Sequence, residues 1–362
     1  MTGEGGCTRI WRDERFEVLA FDDGEHLVQR ASDGAIIALG SAEDRVLVEG
    51  AGPGLRLAAA GGGRLLVHEG GVLRLLGRAG LRELRRITLG GQLGAARLVT
   101  GGVFFVQRLN DEASEYIWSP DEGRQESFGQ TSTISQGCYP ALAADGRHLA
   151  WFVCRQERDL KSAMRFDDGR SVAQDSLGVP ELDLARLDLD SGRLVVTELP
   201  APVRSLALSG GRTWLLLHRS AASVLIGLWD GGDVKYQDLP AALGELTVVG
   251  AHAFALQPRI DDKPAMLWRI ALDTGRAEPV ASAREGHLFN LIAGGCAVHW
   301  LEGQHESSLL MASIFGGATG PAGSAVCTLP LGPAPEQLAV KKKATKKLNL
   351  RAPKKAGSKR RK

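Results

Sequence analysis

Residues 139–153 read YPALAADGRHLAWFV and carry a complete β-hairpin signal. Two short apolar runs flank Asp145-Gly146, and a tight hairpin turn needs a positive φ angle, which glycine adopts without steric cost. We therefore predict a short strand, a two-residue turn at Asp145-Gly146 and a second strand over 149–154. Variants of this unit recur along the whole chain, and the recurrence predicts the fold.

A short turn rich in Gly and Asp recurs at nearly even spacing, and we interpret it as the turn between the third and fourth strands of each unit. Its copies lie at 33–34, 77–80, 121–123, 191–192, 231–232, 274–275 and 316–320. Two copies are close relatives, RLDLDSGR at 186–193 and RIALDTGR at 269–276. Successive copies are about 45, 43, 70, 40, 43 and 43 residues apart, so one step is irregular.

A second series of apolar runs gives the same number of units. We interpret these runs as the second strands, at 16–21, 64–68, 103–107, 149–154, 214–218, 253–257 and 297–300. Four-stranded repeats of about 40–45 residues are typical of a β-propeller, whose blades bury their faces on each other. We predict an all-β, seven-bladed β-propeller, with six or eight blades as alternatives. Residues 8–11 are the candidate strand that closes the ring, on a blade that the sequence does not fix.

The stretch 139–153 also resembles the repeat of TolB-type (WD40-like, PD40) propellers, which reads roughly P-x-W-S-P-D-G-x-x-L-A-F. Pro140, Asp145, Gly146, Leu149 and Ala150 match that pattern, as does Arg147, whereas Ala143-Ala144 replaces Ser-Pro. Residues 206–217, LALSGGRTWLLL, form a decayed copy. The resemblance covers one convincing repeat in seven. It implies the propeller fold and transfers no functional residue.

The net charge of +2 conceals an uneven distribution. Residues 341–362 contain 12 Lys and Arg and no acid, so the other 340 residues hold 32 basic against 42 acidic residues, a net charge of −10. We predict a propeller domain over 1–332 and a disordered basic tail over 333–362, because the tail has too few apolar residues to form a core. We see neither a signal peptide nor a membrane span.

The loops of a propeller blade alternate between two faces. Turns between strands one and two, and between strands three and four, lie on what we call the short-turn face, and here they are short and Gly-rich. Loops between strands two and three, and between blades, lie on the opposite long-loop face, and here they are longer and charged, as at 107–115, 257–265 and 300–308. The irregular step is explained by an insertion at 155–180 in blade four. Because long loops on a rigid scaffold commonly carry binding, we predict binding on the long-loop face.

The predicted second strands end in polar residues on this face. They could form a ring near the mouth of the central channel, or they could mark where each strand meets water. With the arginines that follow them, the candidate binding residues are His68, Gln107, Arg108, Cys154, Arg155, His218, Arg219, Gln257, Arg259 and His299.

The tail is predicted to neutralise phosphates of nucleic acid or another polyanion without sequence preference. The alternatives are a solubilising tail, a tail that folds back on the acidic body, or one attracted to a membrane surface. The candidate residues are Lys341, Lys342, Lys343, Lys346, Lys347, Arg351, Lys354, Lys355, Lys359, Arg360, Arg361 and Lys362.

No catalytic motif is present: neither a G-x-S-x-G elbow, nor a phosphate-binding loop, nor an H-E-x-x-H pair. The five cysteines form no C-x-x-C pair, which favours free thiols in a reducing compartment. We expect no cofactor and no metal. Our first hypothesis is a non-enzymatic, monomeric, cytoplasmic interaction scaffold (nuclear in a eukaryote) that binds a protein or peptide. The second is an enzyme or small-ligand binder that uses the polar channel mouth.

Overall fold

The computed structural model describes residues 6–331, with gaps at 41–42, 51–53, 111–112, 133–141, 155–181, 199–202, 220–221, 229–233, 260–262, 284–285 and 304–322. The predicted tail and blade-four insertion lie outside the described residues. The described chain forms seven antiparallel sheets of four strands each. One 3₁₀ turn, Ala79–Leu81, precedes β9. No helix in the described part of the chain is long and apolar enough to cross a membrane.

The sheets follow one another along the chain, and we number them as blades one to seven. The strands of blades one to three are β1 Thr8–Arg12 (which joins blade seven), β2 Phe16–Asp22, β3 Glu25–Arg30, β4 Ile36–Leu39, β5 Arg45–Val48, β6 Arg56–Gly61, β7 Arg64–Glu69, β8 Val72–Gly77, β9 Glu83–Thr88, β10 Gln92–Val99, β11 Gly102–Arg108, β12 Ala113–Pro120 and β13 Glu126–Ser132. The strands of blades four to seven are β14 Leu142–Asp145, β15 His148–Cys154, β16 Leu182–Asp188, β17 Arg193–Glu198, β18 Val203–Ser209, β19 Arg212–Arg219, β20 Ala222–Leu228, β21 Val234–Leu239, β22 Leu246–Val249, β23 His252–Gln257, β24 Met266–Ala271, β25 Ala277–Ser282, β26 His287–Gly294, β27 Ala297–Gly303 and β28 Ser324–Pro330.

The blades form a closed ring. The first strand of each blade contacts the first strand of the next, and β26 of blade seven contacts β2 of blade one. Seven hydrophobic clusters, one at each junction between adjacent blades, make up the core. Each blade packs between its two neighbours, so both faces of its second strand are buried. In β11, residues 102–107 are all buried. This explains why the second strands appear in the sequence as unbroken apolar runs.

The N-terminal strand closes the ring, as the sequence predicted for 8–11. Strand β1 pairs antiparallel with β28, with Thr8 opposite Thr328 and Arg9 opposite Cys327. Blade seven therefore combines β26, β27 and β28 with the first strand of the chain. The closing strand joins the two ends of the described chain at one seam.

This closure corrects three sequence assignments. Because β1 belongs to blade seven, the run at 16–21 is the first strand of blade one and not its second. The turn at 33–34 consequently lies between the second and third strands, β3 and β4. Residues 316–320 are outside the described residues, but the strands on either side of them, β27 and β28, are also second and third.

The short-turn face is built from uniform hairpins. All seven connections between first and second strands are two residues long, and each contains a glycine with a positive φ angle. In the hairpin at 139–153 the turn is Gly146-Arg147, one residue later than predicted, because Asp145 still pairs with His148. The Asp145 carboxylate instead accepts a hydrogen bond from the Gly210 backbone N–H in the corresponding turn of blade five.

The long-loop face is less uniform. Its long connections are concentrated in blades four, six and seven, at 155–181, 258–265 and 304–323, whereas β7 and β8 are joined by two residues only. The chain leaves the propeller on the opposite side. After β28, the Leu331 backbone N–H donates to the carbonyl of Cys296, which lies in the β26–β27 turn. Leu331, the last described residue, therefore lies at the short-turn face.

Candidate functional site

Two predicted binding residues on the long-loop face make hydrogen bonds within the propeller itself. Gln107 is buried; its Oε1 accepts from the Gly90 backbone N–H at 2.8 Å and its Nε2 donates to Glu115 at 2.9 Å. Gln257 is also buried, and its Oε1 accepts from the indole N–H of Trp268 at 2.7 Å. Gln257 is the last residue of β23, and Gln107 is the residue before the end of β11. Gln107 thus fixes the connection between blades two and three, and Gln257 fixes the neighbouring strand β24.

His68 also lies at the predicted end of its strand. It is half-buried, and its Nε2 has no hydrogen-bond partner among the described residues. Burial, with a smaller contribution from the charge of Arg56, holds the pKa of His68 below its usual value. The imidazole is therefore neutral at physiological pH.

Two of the predicted arginines are exposed on this face. Arg108 and Arg259 are both exposed, one at the end of β11 and the other in the 258–265 loop. Cys154, His218 and Arg219 end their strands on the same face, although their side chains are outside the described set, and Arg155 lies wholly outside it. A binding role for these residues stays a prediction.

The predicted position of His299 on this face is wrong. Strand β27 extends to Gly303, three residues further than expected, so His299 lies near the start of the strand and the short-turn face. Its Nδ1 is 2.9 Å from Nε2 of His26 in blade one, and its Nε2 is 3.1 Å from the Gly294 carbonyl oxygen. The Phe21 ring stacks on His299 at 4.3 Å between centroids. The histidine belongs to the seam between blades seven and one.

The hydrogen bonds at this seam indicate which nitrogen of each imidazole carries the proton. Because a carbonyl only accepts, Nε2 of His299 is protonated and its Nδ1 is the acceptor. His26 then donates from Nε2, and the Thr328 hydroxyl lies within 3.1 Å of both rings. Burial, reinforced by the proximity of His299, lowers the pKa of His26 to about 4, and burial also lowers the pKa of His299. Both rings are neutral in the folded protein at neutral pH.

We expect the propeller to lose stability in mild acid. Between pH 6.5 and about 4, the unfolded chain protonates His26 while the folded protein does not, so the free energy of unfolding falls as the pH drops through this window. Urea unfolding between pH 7.5 and 4.5 measures the slope. His26→Gln keeps a donor to His299 and should flatten the slope, whereas His252→Gln, at a half-buried histidine outside the seam, should not. An unchanged slope in His26→Gln would contradict this account of the seam.

The second strands do not form the channel mouth, because a first strand separates each of them from the channel. Five first strands instead carry an irregularity near their beginning, at the long-loop end of the channel. The register shifts leave Glu17, Ala58, Gly94, Arg204 and Asn290 without a regular pairing partner. Such β-bulges turn a side chain out of the regular alternation and are common beside binding sites.

A polar network joins three blades at this mouth. Asn290 has a φ angle of 54°, which is uncommon outside glycine. Its backbone N–H donates to Oε1 of Glu245 at 3.1 Å, and the N–H of Leu291 donates to Oε2 of the same carboxylate at 2.7 Å. The Asn290 side-chain amide donates to the backbone carbonyl of Glu17. The network ties blades six, seven and one together and leaves Glu17 and Glu245 exposed.

Arg97 provides a positive charge on one of the first strands, which surround the channel. It lies on the first strand β10, is solvent-exposed, and donates to the Ala96 carbonyl at 2.9 Å. Desolvation lowers the pKa of Arg97 nevertheless. No carboxylate pairs with Arg97 within the part of the chain that the structure describes.

The mouth residues left a weak sequence signal. Glu17 interrupts the run Phe16–Val18, and Asn290 interrupts Phe289–Leu291, each near the start of an otherwise apolar strand. Among the described residues, no group of three or more His, Cys, Asp or Glu side chains is placed to hold a metal ion.

Comparisons with known proteins agree with the fold. No family model matches the sequence, and no curated protein matches it. Virginiamycin B lyase from Staphylococcus aureus, solved with quinupristin, has a TM-score of 0.54 at 9% identity over 89% of this chain and 99% of its own. The tricorn protease has a TM-score of 0.55 at 10% identity, over 81% of this chain and 33% of its own. A prolyl endopeptidase has a TM-score of 0.52 at 14% identity, over 80% and 45%.

The chain is thus a β-propeller, and the all-β propeller predicted from the sequence is confirmed. At these identities the likeness shows the fold alone. No family model supports the TolB-type repeat.

Proposed function

We propose that this protein is an interaction scaffold that binds a protein or peptide on the long-loop face and contacts nucleic acid or another polyanion through its basic tail. The observation that carries the proposal is that polar and charged features lie close together on the long-loop side of blades six and seven. The Glu245–Asn290–Glu17 network, exposed Arg259 and the end of β27 at Gly303 all lie on the long-loop side of these blades.

The chain geometry allows both contacts at once. The tail follows Leu331, which is bound to the short-turn face, so a polyanion held by the tail need not cover the long-loop face. The tail holds 12 basic residues and no acid, a composition suited to phosphate neutralisation without sequence preference. We further propose a domain boundary at 332/333, a monomer, and a cytoplasmic location, or a nuclear one in a eukaryote. The TolB-type resemblance adds support for the fold and none for a particular partner.

Charge reversal on the long-loop face should weaken peptide binding strongly. A peptide would be selected from a random library on the full-length protein, and its affinity measured for wild type and for Arg108→Glu/Arg259→Glu. We expect at least a thirtyfold loss, since a central interface arginine commonly contributes about 2 kcal/mol. The matched control is Arg193→Glu/Arg276→Glu, which reverses two exposed arginines on the short-turn face. Equal loss in both variants, or loss only in the control, would contradict the proposal.

Arg97 favours a second candidate function. An exposed cation on a strand that borders the channel is suited to a small anionic ligand, which keeps an enzyme or ligand-binding role as the alternative. Arg97→Met separates the two functions in the same experiment. Peptide binding that survives Arg97→Met supports the long-loop face, and peptide binding that is lost in Arg97→Met alone supports the channel.

A further inference from the structure

A pair of cysteines lies at the seam where the closing strand joins blade seven. Arg9 of β1 is directly opposite Cys327 of β28. Cys7 precedes Arg9 by two residues, and alternate residues of an extended chain point to the same side. Cys7 is half-buried and packs against the hydrophobic cluster between blades six and seven, which contains the fully buried Cys327. The two thiols therefore occupy one side of the seam.

The two cysteines pack in the same cluster, and their surroundings differ. The neighbouring Cys327 thiol, together with the charge of Arg9, stabilises the Cys7 thiolate and lowers the pKa of Cys7 to about 7. The proximity of Cys7, together with burial, raises the pKa of Cys327. Glu302 Oε2 lies 3.6 Å from the Cys327 sulfur and 3.0 Å from Nε of Arg9. A partly exposed, thiolate-forming cysteine thus contacts a buried thiol that has a carboxylate beside it.

We propose that Cys7 and Cys327 form a peroxide-reactive pair, in which Cys7 is oxidised first and Cys327 converts the product into an intramolecular disulfide. An accessible cysteine with thiolate character, next to a resolving thiol, is the arrangement that redox-sensing cysteines share. The oxidant is a hydroperoxide from solution, which reaches the chain at Cys7 because Cys327 is buried.

The chemistry balances in two steps. The Cys7 thiolate attacks one peroxide oxygen, the O–O bond breaks, and with one proton the products are a sulfenic acid on Cys7 and an alcohol, or water from hydrogen peroxide. The sulfur loses two electrons and the peroxide gains them. The Cys327 sulfur then attacks the sulfenic sulfur, the S–O bond breaks, and the hydroxide leaves as water with the proton from Cys327. Glu302 is placed to accept that proton in transit.

The disulfide would join the closing strand covalently to the blade that it completes. In the reduced protein, β1 is held by strand pairing and by side-chain contacts with blades six and one. Oxidation would turn this non-covalent closure into a covalent one, so that unfolding at the seam no longer opens the ring until the disulfide is reduced.

Treatment of the full-length protein with hydrogen peroxide tests the proposal. We expect the intact mass to fall by about 2 Da, the loss of two hydrogens in a disulfide. Peptide mapping should place the cross-link between Cys7 and Cys327, and the urea midpoint should rise until a reductant is added. Cys296→Ser removes an exposed cysteine and should change nothing. Cys7→Ser should abolish the cross-link, and Cys327→Ser should instead accumulate a dimedone-reactive sulfenic acid at Cys7.

Mapping of the wild-type protein keeps the test decisive even if a serine variant fails to fold. A cross-link at any other cysteine pair, an intermolecular disulfide, or equal dimedone labelling of Cys7 and Cys296 would overturn the proposal. The pH dependence of alkylation provides a second check. The rate at Cys7 should reach half its plateau near pH 7, and a midpoint above pH 8 would contradict the thiolate assignment.

Discussion

Replacing Trp151 with alanine lowers the free energy of unfolding by about 3–5 kcal/mol, the range for a fully buried tryptophan or phenylalanine truncated to alanine. Trp151 is 1% exposed, stacks on Tyr116 at 5.3 Å and contacts Phe104 at 5.1 Å between ring centroids. The Tyr116 hydroxyl donates to the Phe152 carbonyl at 2.8 Å, so the rings hold blade three against blade four. The loss of the indole would leave a cavity. The blades could not move together to close it, because this hydrogen bond fixes their separation.

Urea unfolding measures this change, and Trp11→Ala is the matched control. Trp11 is 45% exposed on the outer strand β1, so its truncation should cost less than about 1 kcal/mol. Trp151→Phe should fall between the two, because it keeps an aromatic ring against Phe104. Similar losses for Trp151→Ala and Trp11→Ala would show that the junction between blades three and four is not packed as described.

Replacing Arg9 with methionine should cost about 3–5 kcal/mol, because it leaves a carboxylate buried without its cation. Glu302 is 2% exposed at its side chain, and Nε of Arg9 lies 3.0 Å from it. The Arg9 guanidinium also donates to the Ser282 carbonyl in blade six at 2.7 Å. The arginine therefore neutralises a buried charge and ties the closing strand to the preceding blade.

A second arginine on the same strand gives the control. Arg12 pairs with Asp44 through two hydrogen bonds of 2.6 and 2.8 Å, but both side chains are about 30% exposed. Arg12→Met should therefore cost about 1 kcal/mol or less. The double variant Arg9→Met/Glu302→Met removes both charges and should recover most of the stability lost in Arg9→Met. Failure of the double variant to recover stability would show that the loss is not due to the uncompensated charge.

The sequence predicts best those features that depend on the local pattern of apolar residues and glycines. The second strand 103–107 and the hairpin at 139–153 are visible because strands buried on both faces appear as unbroken apolar runs and glycine marks each turn. Blade one was shifted by one strand because the partner of β1 lies at the other end of the chain, and no local signal reports the pairing of Arg9 with Cys327.

The candidate site was harder to predict for a related reason. A polar residue at a strand end, such as Gln107, looks the same whether it binds a partner or holds a blade connection, as it does here. The bulge at Asn290 shifts the strand register, but the residues on either side of it are apolar. The sequence pattern therefore gives little sign of the bulge. The mouth network depends on Glu245 from another blade, a contact that only the closed ring creates.

The central claim, a scaffold with separate protein-binding and polyanion-binding parts, is tested most directly by a salt titration of DNA binding. Fluorescence anisotropy on a generic duplex would compare residues 1–362 with a 1–340 truncation. The account predicts that the full-length chain binds with a steep salt dependence, each neutralised phosphate adding about −0.9 to the slope of log K against log salt, and that the truncation does not bind. Equal binding by both proteins, or by neither at low salt, would contradict it.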